Sequence, residues 1–213
     1  MSGLLQGPIL VCFAVKEEAA PFRRELPPNV TILVTGMGAA AAERVVKALL
    51  SERDWSLVLT CGFAGGLNPA LQIGTVICEA DEDFPLRQTL LNAGAVAARL
   101  HCGERVAVTA YEKAMLRERT GADAVEMESG VIRRLCHEGG IPSATVRVIS
   151  DTAQEDLPLD FNVLVNADGK LNLGRLARQV LRRPRKLPAL MALGRHSKFA
   201  ANRLAVVLRA VLS

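Results

Sequence analysis

Short, unbroken apolar runs punctuate the chain. They are "PILVCFAV" (8–15), "VTILVT" (30–35), "WSLVLTCGFAGGL" (55–67), "GTVICEA" (74–80) and "PSATVRVISD" (142–151). Runs of this length, several rich in β-branched residues, predict strands buried on both faces. Between them the apolar positions shift to helical spacing. After Gly36 and Gly38, for example, Val45, Val46, Leu49 and Leu50 share one face. The same reading predicts helices over 85–100, 111–119 and 127–138, the last stopped by Gly139-Gly140, and one more strand over 104–109. Beyond residue 151 it predicts helix, interrupted at Pro158, Gly174, Pro184 and Pro188. Strands alternating with helices define an α/β sandwich with a largely parallel sheet.

Composition narrows the class. Of 213 residues, 50% are hydrophobic and 4% aromatic, enough to build a core. No apolar run reaches the roughly 18–20 residues of a membrane span, and the N-terminal "MSGLLQGPILVCF" has no basic region that would mark a signal peptide. The expected location is the cytoplasm. Five scattered cysteines without CxxC spacing read as reduced, buried thiols. Three separated histidines offer no metal-type spacing, so no histidine-based metal site is expected. Charge is divided unevenly. Residues 170–213 hold 11 Lys or Arg and no Asp or Glu, leaving 15 basic and 22 acidic residues in 1–169. We therefore divide the chain into a domain, 1–169, and a basic helical extension, 170–213. The low aromatic content and the absence of a reader motif argue against nucleic acid as the partner of that extension.

In open α/β sheets ligands bind beyond the C-terminal ends of strands, and the unusual stretches collect there. Glu17 and Glu18 follow the first run, "TGMG" the second and "CGFAGG" the third. Ser150-Asp151 ends the last run, and "AVEMESG" (124–130) sets Glu126, Met127 and Glu128 where a short strand passes into a helix. Each has a plain structural explanation. Acids favour a helix start by a few tenths of a kcal/mol, and glycines suit tight turns. As chemistry, the glycine-rich turns can bring backbone N–H groups to an anion or to sugar oxygens. They match neither the P-loop nor the GxGxxG fingerprint. Asp151, at the end of an apolar strand, is a candidate proton donor, and Glu18 is its candidate complementary base.

Together, "AVKEEAAPF", "TGMGAAAAERV", "TCGFAGGL", "AVEMESGVI" and "VRVISDTA" resemble, in order and spacing, the nucleoside phosphorylase superfamily. Within it the chain looks most like the 5′-methylthioadenosine/S-adenosylhomocysteine nucleosidases. The resemblance implies a single α/β/α sandwich around a mixed, partly barrel-like sheet. It also implies cleavage of the bond between base and ribose without a cofactor, save phosphate where that is the acceptor. By the same resemblance Met127 packs on the ribose, Glu128 accepts its two hydroxyls and Glu126 lines the site. Asp151 protonates the leaving purine, and Glu18 orients the attacking water. Phe63, Ala64, Gly65, Ser150 and Tyr111 fall at substrate-binding positions. Gly36, Gly38 and Arg23 are candidate phosphate or anion ligands. Relatives are commonly homodimers, and a dimer is expected.

Departures sharpen the reading. Phe63 stands where the nucleosidases carry a small hydroxyl residue, Lys16 where they carry an acid, and the chain is short between "VICEADEDF" and "RVAVTAYEK". The continuation "SDTAQEDLPLDFNVLVNADGKLNLGRLARQVLRRP" is similar to the hopanoid-associated phosphorylase subfamily. That implies an adenosine-type substrate with a large 5′ lipid, such as adenosylhopane. The alternatives are a 5′-methylthioadenosine-type nucleosidase and a nucleoside-binding module without catalysis. Leu187, Leu190, Met191, Leu193, Phe199, Leu204, Val207, Leu208 and Val211, interleaved with Arg and Lys, form an amphipathic tail. It either packs on the domain or attaches peripherally to an anionic membrane, in which case deleting 186–213 abolishes binding.

Overall fold

The computed structural model describes residues 6–166 and 168–213. The first five residues of the stretch read for a signal peptide, and Ala167 of the subfamily-like continuation, lie outside them. Among the described residues, eight strands and seven α-helices follow in the order β1 (Ile9–Phe13), α1 (Lys16–Arg23), β2 (Val30–Val34), α2 (Ala39–Leu50), β3 (Leu57–Gly66), β4 (Val76–Glu79), α3 (Arg87–Asn92), β5 (Val96–Ala97), β6 (Leu100–Cys102), α4 (Ala110–Thr120), β7 (Ala124–Glu126), α5 (Ser129–Glu138), β8 (Ser143–Asp151), α6 (Leu173–Arg182) and α7 (Leu187–Leu212).

The strands form one mixed sheet in the order β2-β1-β3-β8-β4-β5, with β7 pairing both β3 and β6. β1 and β8 run parallel to β3, whereas β4 runs antiparallel to β8. β3 pairs β1 along its first half and, antiparallel, β7 through Gly65 and Gly66, so the sheet turns a corner at its glycines. This is the mixed α/β architecture expected.

Both faces are covered, which explains the unbroken apolar runs. Ile9, Val11 and Phe13 of β1 face α1 and α7, joining Phe22, Ala200, Leu204 and Leu208. Leu10 and Cys12 face α2 and α5, joining Val46, Ile132 and Leu135. Alternating residues of one strand thus serve two cores.

The predicted helix over 85–100 is only α3, ended near Gly94 at φ +94°, and it gives way to β5 and β6. Residues 104–109 form no strand. The described residues between 152 and 172 are irregular rather than helical apart from a 3₁₀ turn at Phe161–Val163 and a Val165–Leu171 bridge; in that turn the Asn162 side chain bonds both backbone polar groups of Val106. Pro188 does not interrupt a helix; it sits in the first turn of α7, where its missing N–H costs nothing.

The division at residue 169 follows charge and not packing. The last turns of α7 bury Ala200, Ala201, Leu204, Ala205, Val207, Leu208, Val211 and Leu212. Burying each large side chain contributes about 1.5–3 kcal/mol. Five of them together match a domain's whole stability of about 5–15 kcal/mol. Deleting 186–213 therefore removes part of the core, and the second half of the tail is packed on the domain.

Candidate active site

Four carboxylates and two cations gather at the ends of β1, β3, β7 and β8. The central cation is Arg147, 1% exposed on β8. Its neighbours Val146 and Val148 point into one apolar core, so by strand alternation Arg147 points to the other face. There Nη2 donates to Glu126 Oε2 and, at 3.1 Å, to the Thr60 hydroxyl, with Glu128 Oε2 at 3.5 Å. Nη1 donates to the Cys61 carbonyl at 3.2 Å. A guanidinium suits this place because its fork reaches several acceptors at once. Burial opposes its charge, but Glu126, Glu128 and Glu18 outweigh burial and hold its pKa above the usual value.

The two glutamates of "AVEMESG" differ in environment. Glu126 ends β7 and folds back on the start of α5, accepting the Glu128 and Ser129 N–H groups at 3.0 and 2.8 Å and the Ser129 hydroxyl at 2.5 Å. Burial pushes its carboxyl up, yet Arg147 and these donors prevail and hold it below the usual range. Glu128 instead reaches across to Gly38, whose N–H donates to Oε1 at 2.7 Å. Burial raises the Glu128 carboxyl, with Arg147 opposing and the Glu126 charge adding to the rise. Glu126 is thus the fixed anion that shapes the turn. Glu128 is the more weakly held acceptor. Met127 lies against Gly38: a Cβ there would meet Met127 Cε at 3.6 Å.

Glu18 is held from the other side. Oε2 accepts the N–H groups of Ala14 and Val15 at 2.9 and 3.1 Å, and Oε1 accepts that of Phe63 at 2.7 Å. The close approach requires Gly62, where a Cβ would fall 2.6 Å from Glu18 Oε1 and 2.8 Å from Arg147 Nη1. Burial raises the Glu18 carboxyl to about 7, against the opposing pull of Arg147 and the Phe63 N–H.

Asp151 closes the set. Ser150 Oγ donates to its Oδ1 at 2.7 Å, and Lys113 Nζ to its Oδ2 at 2.6 Å. Lys113, on α4, is fully buried, and its remaining protons go to the carbonyls of Thr152 and Glu155 at 2.7 and 2.9 Å. The acid is therefore charge-paired rather than isolated among apolar groups, as the strand pattern alone suggested. Gly65 leaves it room, since a Cβ there would lie 3.3 Å from Oδ2. Ala64 is buried beneath, and its carbonyl accepts the Ser150 hydroxyl at 3.4 Å.

Some expected members stand elsewhere. Tyr111 is 74% exposed at the start of α4. Arg23, the last residue of α1, is exposed and makes no contact with the cluster. Phe63 contributes its backbone to Glu18, while its ring packs against the main core. The "TGMG" turn takes the positive φ values expected of Gly36 and Gly38, +85° and +88°. Its N–H groups are committed, however: Gly36 to the Ala14 carbonyl, Met37 to that of Gly169, and Gly38 to Glu128. No anion-binding nest remains there. The sequence reading missed Arg147 and Lys113. Arg147 had a signal, a charge inside a run buried on both faces.

Comparison with known proteins agrees with this fold. The futalosine hydrolase of Helicobacter pylori strain 26695 superposes with a TM-score of 0.69 at 17% identity, over 96% of this chain and 97% of that one. The 5′-methylthioadenosine/S-adenosylhomocysteine nucleosidase of Colwellia psychrerythraea 34H, solved with adenine, gives a TM-score of 0.70 at 16% identity, over 97% and 94%. The corresponding Helicobacter pylori nucleosidase, complexed with a substituted pyrrolidin-3-ol, gives a TM-score of 0.69 at 16% identity, over 96% and 97%. At such identities the likeness is one of fold. A sequence model described as the phosphorylase superfamily matches residues 22–104 and 83–182, most of the chain. The chain belongs to the phosphorylase superfamily.

Proposed function

We propose that this protein cleaves the N-glycosidic bond of an adenosine-type purine nucleoside and releases adenine, with water as the acceptor. The observation that carries the reading is the convergence of Glu18, Glu128 and Asp151 on one strand-end site, each held by its own donors. Asp151 passes a proton to the departing base, resupplied by the Lys113 ammonium that donates to its Oδ2, so that adenine leaves neutral. Glu128 accepts the ribose hydroxyls, a task for a group with acceptor oxygens and no proton. Met127 packs against the sugar, and Glu126 holds the turn that presents both. Glu18 orients the water and takes its proton. The carboxylates also stabilise the positive charge that develops on the ribose in a water-poor site. Water is favoured over phosphate because Arg23 stands outside the cluster and the "TGMG" N–H groups are already used. The solved relatives act on, or bind, nucleosides and their analogues by their own descriptions, and we extend that substrate class to this chain. Within it, the subfamily resemblance points to a large apolar 5′ substituent.

The test is product analysis with adenosine and a 5′-alkylated adenosine, with and without phosphate. Free adenine and reducing sugar at a phosphate-independent rate are expected, faster with the alkylated substrate. Formation of a sugar 1-phosphate would overturn water as acceptor, and release of no base from either substrate would overturn the enzyme reading.

Two further outcomes follow from the geometry. Glu18 works as a base only when ionised, and its carboxyl titrates at about 7. Below that pH it is protonated, so kcat/KM falls as pH drops through about 7. Glu18→Gln should lose that limb together with most of the rate; an unchanged acid limb in the variant would assign it to another group. Glu128→Gln replaces an acceptor with a donor and should cost about tenfold or more on the ribonucleoside, since hydrogen bonds to charged groups contribute about 1.5–3 kcal/mol. The 2′-deoxynucleoside should lose proportionally less. Equal losses would show that Glu128 does not read the hydroxyls.

A further inference from the structure

We infer that α6, the Pro184–Lys186 turn and the first half of α7 form a docking face for an anionic lipid surface. This inference stands apart from the catalytic reading. Leu173, Leu176, Ala177, Val180 and Leu181 recur at helical spacing and share one arc of α6, while Arg175, Arg178 and Arg182 take the opposite arc. A packed helix with this pattern would bury its apolar arc. Here Leu173 is 71% and Leu181 81% exposed, and Leu187 and Met191 continue the exposed apolar surface into α7.

The cations are equally unspent. Of the 11 Lys and Arg in 170–213, Arg209 alone among the described residues is in an ion pair, with Glu25. Exposed leucines between unpaired cations match an interfacial helix, whose apolar side enters the headgroup region while the charges meet anionic lipid. Nucleic acid would use the cations but leave the leucines in water. The segment has one aromatic residue, Phe199, whose ring edge lies on Gly74, where a Cβ would meet it at 2.3 Å, so it offers no series of rings for bases to stack on. No helix among the described residues is long and apolar enough to cross a membrane, so the contact is peripheral.

The face also adjoins the site. Gly169 accepts the Met37 N–H at 2.9 Å, and a Cβ on Gly169 would fall 2.5 Å from the Met37 carbonyl. α6 begins at Leu173, directly after this contact. A lipid surface under α6 would therefore lie next to the "TGMG" turn, whose Gly38 N–H holds Glu128.

Co-sedimentation tests the inference, using vesicles of phosphatidylcholine and vesicles of phosphatidylcholine and phosphatidylglycerol in equal parts. The full chain should sediment with the mixed vesicles at low salt, lose binding as salt rises, and leave the neutral vesicles free. Two variants confined to exposed residues keep the core intact, with circular dichroism as the folding control. Leu173→Gln with Leu181→Gln removes the apolar anchors. Arg178→Gln, Arg185→Gln and Lys186→Gln together remove three cations and should weaken binding roughly tenfold or more, given what each near-surface cation contributes. Three results would overturn the inference. The first is no sedimentation of the folded wild type at low salt. The second is equal binding by both variants. The third is a lipid-free dimer, or a complex with duplex DNA, that the same variants abolish while vesicles are ignored.

Discussion

Asp151→Asn should lower turnover of an adenosine-type substrate by about 10²–10⁴, the usual contribution of a positioned general acid, while the protein stays folded. The amide keeps the shape of the carboxyl and can still meet the Ser150 hydroxyl. Lys113 loses its anionic partner but retains the Thr152 and Glu155 carbonyls, so its buried ammonium is not left without acceptors. What disappears is the carboxylate that takes a proton from Lys113 and passes it to the leaving base. A substrate whose leaving group departs without protonation separates this from general damage. A 4-nitrophenyl riboside should react with the variant nearly as fast as with the wild type. If both substrates slow equally, Asp151 is holding the site together rather than giving a proton. If neither slows, another group is the acid.

Why the sequence disclosed Asp151 but not its partner is a matter of local against tertiary information. Asp151 ends a largely apolar run in which Arg147 is the only other charge, and such a run announces both a buried strand and an active-site position at its end. Glu126 and Glu128 were legible for the same reason, since β7 passes into α5 within three residues. Lys113 lies in "AYEKAMLRERT", a helix with charges on most sides and an apolar stripe too thin to predict what it faces. Only the approach of α4 to the end of β8 makes that lysine buried. The "TGMG" turn was legible as a turn, because positive φ needs glycine. Its use was not, because the partners of its N–H groups come from Ala14, Gly169 and Glu128, all distant in sequence except the first. Residues 85–109 were misread because two- and three-residue strands carry too few positions to show alternation. In the tail, periodicity correctly marked α6 and α7 as amphipathic. It could not say that the second half of α7 faces Phe22, Leu59 and Val148 in the core, while Leu173 and Leu181 of α6 stay exposed.

Arg147→Met should be the most destabilising single change in the site, by about 3–5 kcal/mol, the cost of breaking a buried ion cluster by removing one side of it. Methionine fills much of the volume and would pack well if the partners were apolar. They are not. Glu126 is 5%, Glu128 6% and Glu18 4% exposed, and without the guanidinium these carboxylates would share a small volume with no cation in direct contact. Glu126 suffers most, because it is the group Arg147 holds below the usual carboxylate range. Denaturant unfolding at neutral pH measures the loss, and acid tests its cause. If uncompensated negative charge is responsible, lowering the pH through the carboxylate range should narrow the gap between variant and wild type, since protonation removes the charge that lacks a partner. Glu126→Gln introduced into the Arg147→Met background should likewise recover part of the stability, although each change alone is destabilising. A gap that stays constant with pH, or strictly additive losses in the double variant, would mean that Arg147 acts through packing. The three glutamates would then be held by their backbone donors alone.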